Sequence, residues 1–119
     1  MNLQPTMPDT QNAFRALADP TRRGILLHLS KTDMTIGDVV ACFPVTRAAI
    51  KKHLVILENG GLIKVKANGR ERINSLNPAG LKVANDWLNY FNLFWTDRLD
   101  DLKNTIEAEE QKSKNLNQP

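Results

Sequence analysis

Between Val45 and Ile73 the chain reads VTRAAIKKHLVILENGGLIKVKANGRERI, and these 29 residues hold seven Lys or Arg against two Asp or Glu. Guanidinium and ammonium groups donate to phosphate oxygens, and in a major groove they also donate to guanine O6 and N7. The chemistry on offer is therefore polyanion binding, driven by counterion release. An apolar residue recurs every three or four positions through the first half of the stretch, which a disordered basic tail would not keep. The charges are mounted on a folded frame.

The whole chain has 119 residues and a net charge of +3, but the charge is divided. Residues 1–82 hold 12 Lys or Arg and 6 Asp or Glu, a balance of +6, whereas residues 83–119 hold 4 and 7, a balance of −3. The length suits one domain with a modest core. No run approaches the roughly 18 to 20 apolar residues of a membrane span. The start, MNLQPTMPDT, has no basic and apolar pattern of a secretion signal, so a cytoplasmic location is expected by default. A single cysteine, Cys42, excludes an intramolecular disulfide and a multi-cysteine zinc site within one chain.

The elements that must carry the cations are well signalled. Asp19-Pro20 supplies an N-cap and a first-position proline, predicting helices over about 10–18 and 20–30. Thr35-Ile36-Gly37-Asp38 has capping-box form and opens a short helix to about Ala41, followed by a turn at Cys42-Phe43-Pro44-Val45. Thr46 caps the basic helix, and Asn59-Gly60-Gly61 stops it. On that helix Ile50, Leu54 and Leu57, with His53 beside them, share the inward face, while Arg47, Ala48, Lys51, Lys52 and Val55 share the other. Alternation around Asn68-Gly69 predicts a hairpin with a type I′ turn, with Leu62, Val65 and Ile73 inward and Lys64, Lys66, Arg70 and Arg72 outside or at the tip.

Asn77-Pro78 predicts one last long helix to about Glu110. Ala84, Leu88, Phe91, Trp95, Leu99, Leu102 and Ile106 form a near-heptad stripe along it, edged by Trp87, Tyr90 and Phe94. That is more apolar surface than one small domain covers, so a second subunit is expected against it. The organisation expected is a flexible terminus (1–9), a mostly α domain with a small β-hairpin (10–78), a C-terminal dimerisation helix (79–110) and a flexible tail (111–119).

A short helix, a tight turn, a basic helix and a hairpin make a winged helix-turn-helix. Thr46, Arg47, Ala48 and Lys51, in the first turns of the basic helix, are the candidates for reading base edges. Lys52, Lys64, Lys66, Arg70 and Arg72 are candidates for phosphate contacts, with Asn68 and Gly69 at the wing tip. His53 is weighed between orienting the helix and touching phosphate. Arg22 and Arg23 are expected to pair with Glu58 or another acid, with DNA backbone contact as the alternative. Cys42 reads as a small buried packing residue and His28 as an ordinary helix residue. The aromatic group Trp87, Tyr90, Phe91, Phe94 and Trp95 reads as packing, with a ligand pocket between subunits as the alternative. A winged-helix module that binds protein instead of DNA is the second reading. No nucleophile with a base, carboxylate pair or phosphate-cradling Gly loop marks an enzyme.

FRALADPTRRGILLHL, TIGDVV, VTRAAIKKHLVILENGGLI and the NGRERI hairpin closely resemble the ArsR-type winged helix-turn-helix repressors of bacteria, over about residues 10–78. The segment WLNYFNLFWTDRLDDL is similar to the last helix of a metal-free subgroup. The resemblance implies a homodimer on an inverted-repeat operator in double-stranded DNA, with the first and last helices as the dimer interface: Phe14 and Leu17 with Leu88, Phe91, Trp95, Leu99 and Leu102. Metal-sensing members carry a Cys-x-Cys pair where this chain has Thr35 and Gly37. Cys42, His28 and His53 lack ligand spacing, so neither metal nor cofactor is expected. Release by a small inducer, by a sequestering protein or by concentration alone is left open by the residues.

Overall fold

The computed structural model describes residues 10–116. The segment 1–9, expected to be flexible, lies outside them, as do residues 117–119. Residues 111–116, expected in the tail, continue the last helix.

Helices α1 (Thr10–Leu17) and α2 (Pro20–Leu29) meet at Asp19, whose Oδ2 accepts the Arg22 backbone N–H at 3.0 Å. Thr35 and Asp38 exchange the two bonds of a capping box, so α3 (Ile36–Val40) starts where the sequence predicts. The basic helix α4 (Arg47–Asn59) starts at Thr46, whose Oγ1 accepts from the Ala49 N–H. Ile25, Ile50, Leu57 and Leu62 are fully buried where α1, α2, α3 and α4 pack, with Val39 beside them.

The stop of α4 is a Schellman motif: Leu62 N–H donates to Leu57 O and Gly61 N–H to Glu58 O, with Gly61 in the left-handed region at φ 74°. Two neighbours approach this turn so closely that side chains are excluded. A Cβ on Gly60 would lie 2.8 Å from Asn12 O of α1, and one on Gly80 would lie 1.8 Å from Gly61 O. Asn77 seals the same turn, its Nδ2 donating to Gly61 O at 2.7 Å and its backbone N–H to Leu62 O.

The sheet has three strands, where the sequence suggested only a hairpin. β1 (Met34–Thr35), β2 (Ile63–Asn68) and β3 (Glu71–Leu76) lie in the order β1-β3-β2, all antiparallel. A two-residue strand has too little alternation to be visible in sequence; it is fixed here by Asn74, buried, whose Nδ2 donates to Met34 O at 3.1 Å. Pairing of Asn68 with Glu71 makes Gly69-Arg70 the loop. Gly69 has φ 64° and no described non-glycine residue has a positive φ, so the expected type I′ turn at Asn68-Gly69 is replaced by the type II′ pattern, with glycine at the first central position. The register also corrects Ile73: it faces Lys66, whereas Asn74, opposite Val65, takes the inward position.

The described residues form two compact units, divided between Asn85 and Asp86. The helix expected from Pro78 to Glu110 is two helices, α5 (Pro78–Asn89) and α6 (Asn92–Leu116). At the junction Tyr90 and Phe91 donate to Trp87 O and Leu88 O, three residues back, which tightens and ends α5. Four residues of modest helix propensity in a row, Asn89 to Asn92, make this the weak point. The Phe91 ring sits 5.0 Å from Trp87, 5.1 Å from Tyr90 and 6.2 Å from Phe94. The stripe is left open in the single chain: Trp95 is 68% exposed, Leu99 61% and Leu102 56%. No helix among the described residues is long and apolar enough to cross a membrane.

Gly80→Ala is expected to destabilise the chain by about 3 kcal/mol, the cost of overpacking against unyielding backbone. Gly37→Ala, whose new Cβ meets only Thr35 Oγ1 at 3.7 Å, is the control and gains about 0.5–1 kcal/mol of helix propensity. Urea unfolding of both variants tests the contrast.

Candidate nucleic-acid interface

The outward face of α4 is built by its own periodicity. Ile50, Leu54 and Leu57 are drawn into the core, so Thr46, Arg47, Ala48, Lys51 and Lys52 are left exposed at and just after the helix start. The Thr46 oxygen is committed to capping, which leaves its O–H to donate outward.

Between α4 and the inner face of the hairpin runs a groove of about 530 Å³. Arg47 and Lys51 line one wall and Arg70 and Arg72 the other, over a floor that includes Ile36, Leu54 and Val65. The strand register explains the second wall: Arg72, Asn74 and Leu76 share a face with Ala67, Val65 and Ile63, whereas Lys64 and Lys66 share the opposite face with Ile73. The expected phosphate contacts are thus split across the two sides of the wing. Asn68, Gly69 and Arg70 form its exposed tip. Among the described residues none of Arg47, Lys51, Lys52, Lys64, Lys66, Arg70 and Arg72 is held in an ion pair.

Sequence reasoning missed two groove residues, Glu58 and Glu71. Glu58 lies seven residues after Lys51 and four after Leu54, so helical spacing alone would have placed it on the groove side. Glu71 pairs with Asn68 beside the loop. The two carboxylates repel phosphate from the groove interior and leave its cationic rims as the attractive part.

Several expectations change. His53 is not brought to the cationic face: its Nδ1 lies 3.2 Å from Arg22 Nη1 and 4.0 Å from Asp19 Oδ2, in half-buried surroundings. Arg22 and Arg23 do not pair with Glu58. Arg22 donates from Nε to Ala16 O and from Nη2 to Arg15 O, and Arg23 from Nη1 to Leu17 O, so both close the C-terminal carbonyls of α1. Cys42 is exposed, its Sγ 3.4 Å from Asp38 O, because the short α3 ends before it can turn inward. The His28 ring packs edge-on to Phe43 at 5.4 Å. Phe14 and Leu17 on α1 are partly exposed. No group of three or more His, Cys, Asp or Glu suited to a metal ion occurs among the described residues.

A helix-turn-helix domain family matches residues 17–66. HTH-type transcriptional regulator Rv2034 of Mycobacterium tuberculosis is 32% identical over 104 residues, covering 87% of this chain and 94% of that protein. Transcriptional repressor SdpR of Bacillus subtilis is 39% identical over 82 residues, covering 68% of this chain and 91% of that protein. The crystal structure of an ArsR family transcriptional regulator, RHA00566, superposes with a TM-score of 0.66 at 30% identity, over 72% of this chain and 94% of that one. Fold and relatives together define a winged helix-turn-helix transcriptional regulator and not an enzyme. Within that class the chain belongs to the ArsR family.

The Asp19 carboxyl is held below the usual carboxylate range, chiefly by the Arg22 backbone N–H, with His53 and the Arg22 side chain adding to it and partial burial opposing. A lowered folded-state value means that this contribution to stability is complete above about pH 4, the ordinary carboxylate value, and is lost as pH falls through the folded value. Asp19→Asn keeps a capping oxygen but removes the charge. Thermal melts between pH 2 and 7 should fall less steeply at the acid end for this variant than for the native chain.

Proposed function

We propose that the chain is a homodimeric, sequence-specific repressor of transcription that acts in the cytoplasm on an inverted-repeat operator in duplex DNA. The observation that carries this reading is the set of seven exposed cations, none ion-paired among the described residues, on two elements whose separation is fixed by the Gly60-Gly61 turn. In this reading α4 enters the major groove by its N-terminal turns, where Arg47 and Lys51 donate to guanine and Ala48 meets a thymine methyl. Arg70 and Arg72 on the groove side of the wing, with Lys52 on α4, hold the phosphates flanking the site; Lys64 and Lys66 on the other face add general attraction. A relative supports repression: SdpR is a transcriptional repressor.

Two copies are brought together by the apolar stripe Leu88, Phe91, Trp95, Leu99 and Leu102, with Phe14 and Leu17 on α1 as the second patch. Exposed leucine and tryptophan at this density mark an association surface. The domain that reads DNA spans 10–78, and 79–110 serves association. Release does not depend on metal, since Thr35 at the cap of α3 and Gly37 within it stand where metal-sensing members hold cysteines.

Arg47→Ala should cost roughly 1–3 kcal/mol on operator DNA and relax its preference, whereas Arg70→Ala should weaken all duplexes alike and lower the salt slope by about one per wing. Titration of labelled DNA from the chain's own upstream region against a random duplex, at two salt concentrations, separates the two. Equal losses on both duplexes for Arg47→Ala would refute its role in base reading. For association, sedimentation of the native chain is expected to give a dimer at micromolar concentration, and Leu99→Glu a monomer that keeps its helical circular dichroism.

A further inference from the structure

The half-buried guanidinium of Arg22 reaches three groups on two other elements. Nε and Nη2 donate to the carbonyls of Ala16 and Arg15, each at 2.9 Å, in the last turn of α1, where C=O groups lack helical partners. Nη1 lies 3.2 Å from Nδ1 of His53, in the middle of α4. A guanidinium only donates, so in this contact Nδ1 is the acceptor. Asp19 Oδ2, 4.0 Å from the same Nδ1, is too distant to accept a hydrogen bond but close enough to attract a charged ring.

We propose that Arg22 is a positioning residue that ties α4 to the end of α1 through His53, and that proton uptake at His53 Nδ1 opens the tie. Protonation puts N–H against N–H and positive charge against positive charge, so the ring leaves Arg22 for Asp19. The groups facing His53 are Arg22 on α2, Asp19 at its cap and, through Arg22, the Arg15 and Ala16 carbonyls of α1; Lys52, next to it on α4, is exposed. The functional consequence rests on the DNA-binding reading, while the tie itself does not. A freed α4 holds Arg47 and Lys51 less firmly, and fit to bases suffers more than attraction to phosphate does. The added charge on α4 acts in the opposite direction and strengthens binding to every duplex. The ratio of operator to random binding cancels that general term and isolates the positioning effect.

The test uses the full chain, its Arg22→Lys variant and its His53→Asn variant, which keeps an acceptor near the Nδ1 position but does not titrate. Backbone amide resonances of Ala16 and Leu17, next to the clamped carbonyls, are followed by NMR from pH 8 to 5, the range in which histidine changes charge. They are expected to shift with the same midpoint as the His53 ring in the native chain and to stay in place in His53→Asn. The preference for upstream over random DNA is expected to fall about fivefold or more on acidification of the native chain, and to change less than about twofold in His53→Asn. Arg22→Lys, which cannot hold three acceptors at once, should show the lowered preference already at pH 8. Amides of α1 that ignore the His53 titration, or an equal loss of preference in native and His53→Asn chains, would overturn the proposal. If those amides follow His53 and yet no duplex is preferred at any pH, the tie stands and the operator reading falls.

Discussion

The arrangement of the whole N-terminal unit depends on one backbone contact, the stacking of α1 and α5 against the Gly60-Gly61 turn. Three chain segments meet there with no space for a side-chain carbon. The turn ends the basic helix, starts the first wing strand and carries the Asn77 bond that begins α5. Because interiors are close-packed, such a contact has one solution and not a range of them. It sets the distance between the cations of α4 and those of the hairpin, which local propensity cannot do. A second brace, the Asn74 bond to Met34, joins the wing to the strand that leads into α3. Both braces tie the hairpin to the frame that carries α4.

Within that body the charge is graded and not uniform. The rims of the groove are cationic, its interior has Glu58 and Glu71, and its floor is apolar. Long-range attraction is supplied by the rims at any sequence of bases, and close fit is left to a few exposed positions at the start of α4. The separation is a matter of register. A shift of one residue in β3 would move Arg72 to the far face and bring Ile73 into the groove.

Much of this was legible in the sequence, and the reasons are local. Asp19-Pro20, the Thr35 capping box, Thr46 and the double glycine each act within a few residues, so the helices of residues 10–59 lie within about a residue of their expected bounds. The errors fall where distant residues decide. Ile73 and Asn74 exchange faces because a two-residue loop pairs the odd-numbered residues of β2 with the even-numbered ones of β3, which sets Asn74 opposite Val65. Arg22 looked like an acid's partner, but the nearest open acceptors were the carbonyls that end α1. The break at Tyr90-Phe91 carries no proline or glycine, so periodicity ran straight through it. How the groove is lined was only half visible: helical spacing gives its α4 wall, whereas the wing wall needs the register.

The exposed start of α4 has a further consequence for how such a protein changes over generations. Arg47, Ala48, Lys51 and Lys52 contribute nothing to the buried cluster, and replacing an exposed residue usually alters stability by less than about 0.5 kcal/mol. Duplicated copies of the gene are then free to drift at these four positions without losing the fold, while Gly60, Gly80 and Asn74 stay fixed. Lineages built on this frame can acquire new addresses on the genome one substitution at a time, and old addresses are lost more readily than the scaffold that read them.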